Sequence, residues 1–199
     1  CNQSHFKGRN GVKYSVFSII KKEKKMEIRS IEQKDYEEVR QLIWQAFSRS
    51  EHGYGNEAEL VEKLRTDCSY VEGLEVVATE GVRIVGYGLL SEVNIINDKA
   101  SYKGLVLAPL AVLPSWQGKK VGQHLLKELE KRAIQKEFSY ISILGHPQYY
   151  SRFGYVPAEK YKVKAPFDVP AEAFMIRPLQ PEALRNVSGC IKYAQAFEA

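Results

Sequence analysis

Cysteine is scarce in this chain, and long apolar runs are missing. Its three cysteines, Cys1, Cys68 and Cys190, are far apart in 199 residues and form no C-x-x-C pair. That spacing excludes a disulfide framework and a cysteine-based metal site, and the thiols are expected to be reduced and mostly packed as small core groups. The four histidines, His5, His52, His124 and His146, form no recognisable ligand set, so no metal is expected. No apolar run approaches the roughly 20 residues that cross a bilayer, so no membrane partner is expected and the location is expected to be cytoplasmic. Internal repeats are also absent. Apolar residues make up 44% of the chain, enough for one domain with a substantial core.

The formal charge of +5 is unevenly placed. Residues 1–25 carry seven basic side chains and one acidic, Glu23, whereas the remainder carries 22 basic and 23 acidic. The basicity therefore belongs to the first segment, and the domain itself is not expected to bind nucleic acid. Residues 1–25 are expected to be a non-native or disordered extension, with a strand-like start at Met26. The codons for Lys21-Lys22-Glu23-Lys24-Lys25 would be purine-rich, like a ribosome-binding region ahead of a start codon. Residues 26–199 are expected to form a single domain ending in a tail of short strands.

Within that span, Ile28–Ile31 alternates as a strand. A helix follows from Asp35, with Tyr36, Val39, Ile43 and Phe47 on one face. Residues 48–56 read as a loop and 57–66 as a second helix. Strands at Leu74–Ala78 and Ile84–Val93 are expected to pair through a Glu80-Gly81 turn. Residues 94–103 read as an irregular connection, Leu105–Leu113 as the central strand, and Tyr161–Pro170 as a loop. Phe174–Leu179 and Gly189–Tyr193 are candidate strands. The expected fold class is mixed α/β, with a mostly antiparallel twisted sheet flanked by helices.

The stretch Leu107–Tyr155 carries the chemistry. An apolar strand including Leu110, Ala111 and Val112 stops at Pro114. Gln117-Gly118-Lys119-Lys120-Val121-Gly122 then opens a helix with Val121, Leu125, Leu126, Leu129 and Ala133 at apolar positions, and Tyr140–Leu144 is the next strand. Such a βαβ unit sets free backbone N–H groups at the mouth of a helix, where the dipole is positive and a phosphate is favoured. Glycines allow close backbone approach. The same residues also fit an ordinary strand-to-helix turn with solvated lysines.

Residues 107–155 resemble the acyl-CoA core of the GNAT superfamily of N-acetyltransferases, and the resemblance extends over about residues 26–160. The family loop reads Gln/Arg-x-x-Gly-x-Gly/Ala. Here Gln117 and Gly122 match, and Lys120 stands where the middle glycine is usual. The string His146-Pro147-Gln148-Tyr149-Tyr150-Ser151-Arg152-Phe153-Gly154-Tyr155 resembles a motif of one bacterial branch of predicted acetyltransferases. The resemblance implies a fourth and fifth strand that splay apart to admit the cofactor. Pantetheine would pair with the backbone of Leu110, Ala111 and Val112, and pyrophosphate with the backbone from Gln117 to Gly122, including Gly118, Lys119, Lys120 and Val121. Tyr150 would be the general acid to the departing sulfur, with Tyr149 as a packing aromatic. The implied reaction is direct acetyl transfer from acetyl-CoA to a primary amine of a small molecule or protein, by a monomer or homodimer. The alternatives are an acyl-CoA-binding regulatory module without turnover, or a longer-chain acyltransferase. Lys120 implies either a bulkier loop that still cradles phosphate or a weakened one. Glu51, His52 and Glu57 border the region where family members usually place the acceptor, His146 ends a strand at the expected cleft, and Tyr54 and Tyr102 are candidate pocket walls. Each also reads as an ordinary surface or packing residue.

Overall fold

The computed structural model describes residues 26–48 and 53–197. The expected extension at 1–25, and Glu51 and His52, lie outside the described residues. In chain order the elements are β1 (Met26–Ser30), α1 (Tyr36–Phe47), α2 (Glu57–Thr66), β2 (Tyr70–Glu80), β3 (Arg83–Ile96), β4 (Ser101–Val112), α3 (Val121–Gln135), β5 (Tyr140–Leu144), the single-turn α4 (Pro147–Tyr150), β6 (Val156–Pro157), β7 (Val163–Lys164), β8 (Phe174–Pro178) and β9 (Gly189–Lys192). All nine strands join one sheet in the order β1-β2-β3-β4-β5-β8-β6, with β9 pairing β3 and β7. Pairing is antiparallel except for β4 with β5 and β7 with β9.

The long middle strands exist because their residues are buried in sequence, not in alternation. Leu74 and Val76–Ala78 on β2, and Ile84, Val85, Tyr87, Leu89 and Leu90 on β3, are all buried. A strand covered on both faces reads as a continuous apolar run. Helix α3 turns Val121, Leu125, Leu126, Leu129 and Ala133 into the core. Each buried leucine stabilises the fold by about 1.5–3 kcal/mol relative to exposure.

Several expected boundaries shift. The β2–β3 ladder closes at Glu80↔Arg83, so the turn is Gly81-Val82, with Gly81 at φ +62°, one residue later than expected. Residues 94–103 are not an irregular connection. The β3–β4 ladder runs to Ile96↔Ser101, and the Asn97 side-chain oxygen accepts from Lys99 and Ala100 N–H at 2.9 and 3.0 Å to close the turn. The polar residues that suggested a loop alternate with Ile95 and Tyr102, which pack into a second, smaller core cluster. Tyr161–Pro170 likewise contains β7, which a two-residue strand gives no periodicity to reveal.

One feature of the sheet positions the site. β4 and β5 pair only at Leu105↔Ile141 and Val106↔Ser142. Just beyond, Leu89 of β3 faces both Ala108 and Pro109 of β4, a bulge between the Leu90↔Leu107 and Gly88↔Leu110 pairs. A bulge bends its strand and increases the local twist, and Pro109 has no N–H to offer a neighbour. The strands part, and no described strand pairs β4 on its β5 side from Leu107 to Val112. The splay implied by the family resemblance is present in the pairing.

Candidate functional site

The gap between β4 and β5 opens into a cleft of about 800 Å³, within the range of small-molecule sites. Leu110, Ala111 and Val112 form one wall, and Gln117, Gly118, Lys120, Val121 and Gly122 form the floor. His146, Tyr149, Tyr150, Arg152 and Phe153 close the far side. Of the residues singled out from the loop and strand, only Lys119 is not on the lining. Its Nζ rests 4.4 Å from the ring centroid of Trp116, which does line the cleft.

The loop explains itself residue by residue. Gly118 has φ +76°, and Lys120, the residue before α3, has φ +64°. The left-handed region is where glycine is at ease and other side chains lose about 1–2 kcal/mol. Lys120 therefore adopts the conformation that glycine would favour, with its side chain exposed on the cleft lining. The first ladder bond of α3 is His124 N–H to Lys120 O, at 3.0 Å. The N–H groups of Val121, Gly122 and Gln123 precede it and face the cleft without helical partners, as helix geometry requires.

The motif after β5 is also built by local geometry. His146 precedes α4, and its carbonyl accepts from the N–H of Tyr149 and Tyr150 at 3.0 and 3.2 Å. Gly154 ends the following turn at φ +85°, a left-handed stop that favours glycine. The Tyr150 ring meets Tyr149 edge-on at 5.0 Å and Tyr155 at 6.0 Å. It passes so close to Gly145 that a Cβ there would stand 2.5 Å from its Cε2. Burial raises the Tyr150 hydroxyl above its ordinary value, with the neighbouring Tyr149 adding to the effect. The group stays protonated at neutral pH, and it donates to no described residue. Arg152 adds positive charge, its guanidinium 4.9 Å from the Tyr149 ring centroid.

The other candidates separate. Glu57 accepts from Gly55 N–H at 2.9 Å and serves the start of α2. Tyr54 donates its hydroxyl to Glu59 and accepts from Ala58 N–H at 3.2 Å. Neither lines the cleft. Tyr102 is not on its wall either. It stands near the beginning of β4, where its carbonyl accepts from Tyr140 at 3.1 Å, at the opposite end of the strand from Leu110–Val112. His146 does line the cleft, as expected. Sequence reading passed over Trp116, Ala46 and Phe47, which also line it. The apolar character that places Phe47 on the core face of α1 also suits a cleft wall.

Comparison with known proteins identifies the family. The model of the acetyltransferase (GNAT) family matches residues 36–155. The uncharacterised N-acetyltransferase YhbS of Escherichia coli (strain K12) is 32% identical over 143 residues, 71% of this chain and 83% of that protein. YjhQ, an uncharacterised N-acetyltransferase of the same strain, is 30% identical over 168 residues, 82% of this chain and 90% of its own. The crystal structure of a GNAT family acetyltransferase from Brucella melitensis in complex with acetyl-CoA matches with a TM-score of 0.70 at 26% identity, over 87% of this chain and 99% of that one. The structure of Escherichia coli YhbS in complex with CoA matches with a TM-score of 0.78 at 27% identity, over 87% and 92%. A family model spanning more than half of the chain, together with relatives matched along most of their length, means that this chain belongs to the GNAT family of acetyltransferases.

Proposed function

We propose that the protein transfers an acetyl group from acetyl-CoA directly to a primary amine. The observation that carries this reading is one continuous surface: the unpaired edge of β4, the open N-terminus of α3 and Tyr150 all line the same cleft. The peptide groups of Leu110, Ala111 and Val112 hold the pantetheine arm as an extra strand would be held. The N–H groups from Gln117 to Gly122 hold the pyrophosphate, and Lys119, Lys120 and Arg152 supply positive charge around it. That two relatives of this fold were crystallised with CoA and acetyl-CoA supports the choice of donor.

Acetyl transfer needs a neutral amine, although a free alkyl amine has a pKa near ~10.4. It also needs proton donation to the departing thiolate. Tyr150 is the group for the second need, because it lines the cleft and is protonated at neutral pH. Holding both reactants side by side lowers the barrier further, by as much as roughly 7–11 kcal/mol in the best-oriented cases. The test is calorimetric titration of acetyl-CoA and CoA, followed by thiol release over a panel of amines. Tyr150→Phe is expected to lower kcat by about 10²–10⁴ while leaving the affinity for CoA unchanged. Absence of CoA binding would refute the reading, and binding without turnover on any amine would favour a regulatory module.

A further inference from the structure

A second hollow, of about 840 Å³, opens on the same gap. Leu107, the first β4 residue beyond the last pair with β5, and Leu144, the last residue of β5, both line it. Leu110 and His146, a few residues further along the same two segments, line the cleft already described. The hollow is apolar and carries unusually exposed side chains: Leu144 is 49% exposed and Phe167 47%. Phe167 stacks on Tyr193 at 5.7 Å and 25°, and Tyr193 packs on Phe197 at 5.1 Å. Among the described residues, no acidic side chain lines this groove. The charged residue in its described lining is Lys192, which is exposed and makes no ion pair among the described residues.

We propose that this groove receives the acceptor, and that the acceptor is a small amine with an apolar, preferably aromatic, body and a carboxylate. The inference rests on the proposed acetyltransferase reading and adds the substrate class. Continuity with the gap places an amine in the groove beside the end of the pantetheine path. Exposed apolar side chains on a monomer surface mark a binding site when they are contiguous, and the stacked rings offer faces to an aromatic or branched body. Lys192 selects the sign of the remaining charge. It attracts a carboxylate, and with no carboxylate among the described lining residues, a polyamine finds nothing there to neutralise its extra cations.

The test uses the full chain with acetyl-CoA and three acceptors: L-phenylalanine, 2-phenylethylamine and spermidine. L-Phenylalanine is expected to give the highest kcat/KM and spermidine the lowest. Phe167→Ala should raise the KM for both aromatic amines about tenfold, the effect of trimming an apolar pocket. Lys192→Glu should raise the KM for L-phenylalanine roughly fivefold, as for a partly exposed ion pair, and leave 2-phenylethylamine unchanged. CoA affinity, measured on the same variants by calorimetry, should not move. Preference for spermidine, or indifference to both substitutions, would overturn the inference while leaving the acetyltransferase reading intact. So would better use of octanoyl-CoA than acetyl-CoA with the preference lost in Phe167→Ala, which would assign the groove to the acyl chain. If none of the three amines turns over, saturation-transfer NMR of L-phenylalanine with the CoA-bound protein decides. Binding lost in Phe167→Ala supports the groove, and no binding overturns it. Failure to bind CoA at all would remove the acetyltransferase reading, and this inference with it.

Discussion

Gly122→Ala is the most searching perturbation of the cleft. Gly122 is the second residue of α3 and lines the cleft floor. It has helical backbone, so alanine gains about 0.8–1 kcal/mol in helix propensity. A Cβ there would stand 2.8 Å from the Tyr149 hydroxyl oxygen, closer than such contacts allow. The tyrosine has little room to retreat. Its ring is edge-on to Tyr150 and tilted against Phe153 at 5.2 Å, with Arg152 over its face. Overpacking of this kind costs typically 1–3 kcal/mol, so the net effect on stability is between about 0 and 2 kcal/mol. The effect on CoA is larger, because the methyl group and the displaced ring both enter the cleft beside the free N–H groups of α3. A loss of at least about tenfold in CoA affinity is expected, or ~1.4 kcal/mol. Urea denaturation and calorimetric titration separate the two effects. Adding Tyr149→Phe removes the clashing oxygen and should recover most of the lost stability. Unchanged CoA affinity in Gly122→Ala would refute the placement of the phosphates at this helix start.

Two further substitutions test what holds the scaffold. Glu75 is fully buried on β2. It accepts from Arg65 Nε and Nη2 at 2.9 and 2.6 Å and from the hydroxyls of Tyr70 and Tyr87 at 2.9 and 2.8 Å. Glu75→Ala leaves the mostly buried Arg65 without its partner and should cost roughly 3–5 kcal/mol in the urea unfolding free energy, with kcat unchanged well below the melting temperature because no part of the network lines the cleft. Asp35, at the start of α1, is held in a two-point contact by Arg29 at 2.6 and 2.9 Å. That hydrogen bonding keeps its carboxyl below the ordinary value. Its contribution is therefore complete above about pH 4 and lost as the pH falls through the lowered folded value. Asp35→Asn should destabilise by about 1–2 kcal/mol at pH 7, after allowance for screening at the partly exposed Arg29. The gap between wild type and variant in urea midpoint should close as the pH falls below about 4, and a gap independent of pH would refute the ionic origin.

How much of this was legible in the sequence depended on the range of the cause. The start of α3, its buried face and the strand before it were readable because apolar spacing and the glycine-bearing loop act within a few residues. The β3–β4 hairpin was not, because its Ile96↔Ser101 end looks like a polar loop until the partner strand is known. The splay itself was implied by family resemblance and became physical only through the pairing. A bulge opposite Leu89 depends on register, which no single segment encodes. The same holds for the aromatic groove, whose walls come from β4, β5, β9 and the 166–167 segment, with no motif linking them.

Lys120 shows where a sequence pattern and its physical cause separate. The family pattern places glycine at this position, which invites the inference that a side chain there would block the phosphate. The requirement is instead on φ. At +64° the residue must tolerate the left-handed region, and a lysine does so at a cost of about 1–2 kcal/mol with its exposed side chain on the cleft lining. Glycine would relieve that strain but remove a cation from the edge of the cradle. Lys120→Gly is therefore expected to leave stability unchanged or slightly raised, since glycine's greater freedom in the unfolded chain offsets part of the relief, and to weaken CoA binding modestly in a salt-dependent way. A lysine that blocked the cradle would give the opposite result, tighter binding in the glycine variant at every ionic strength.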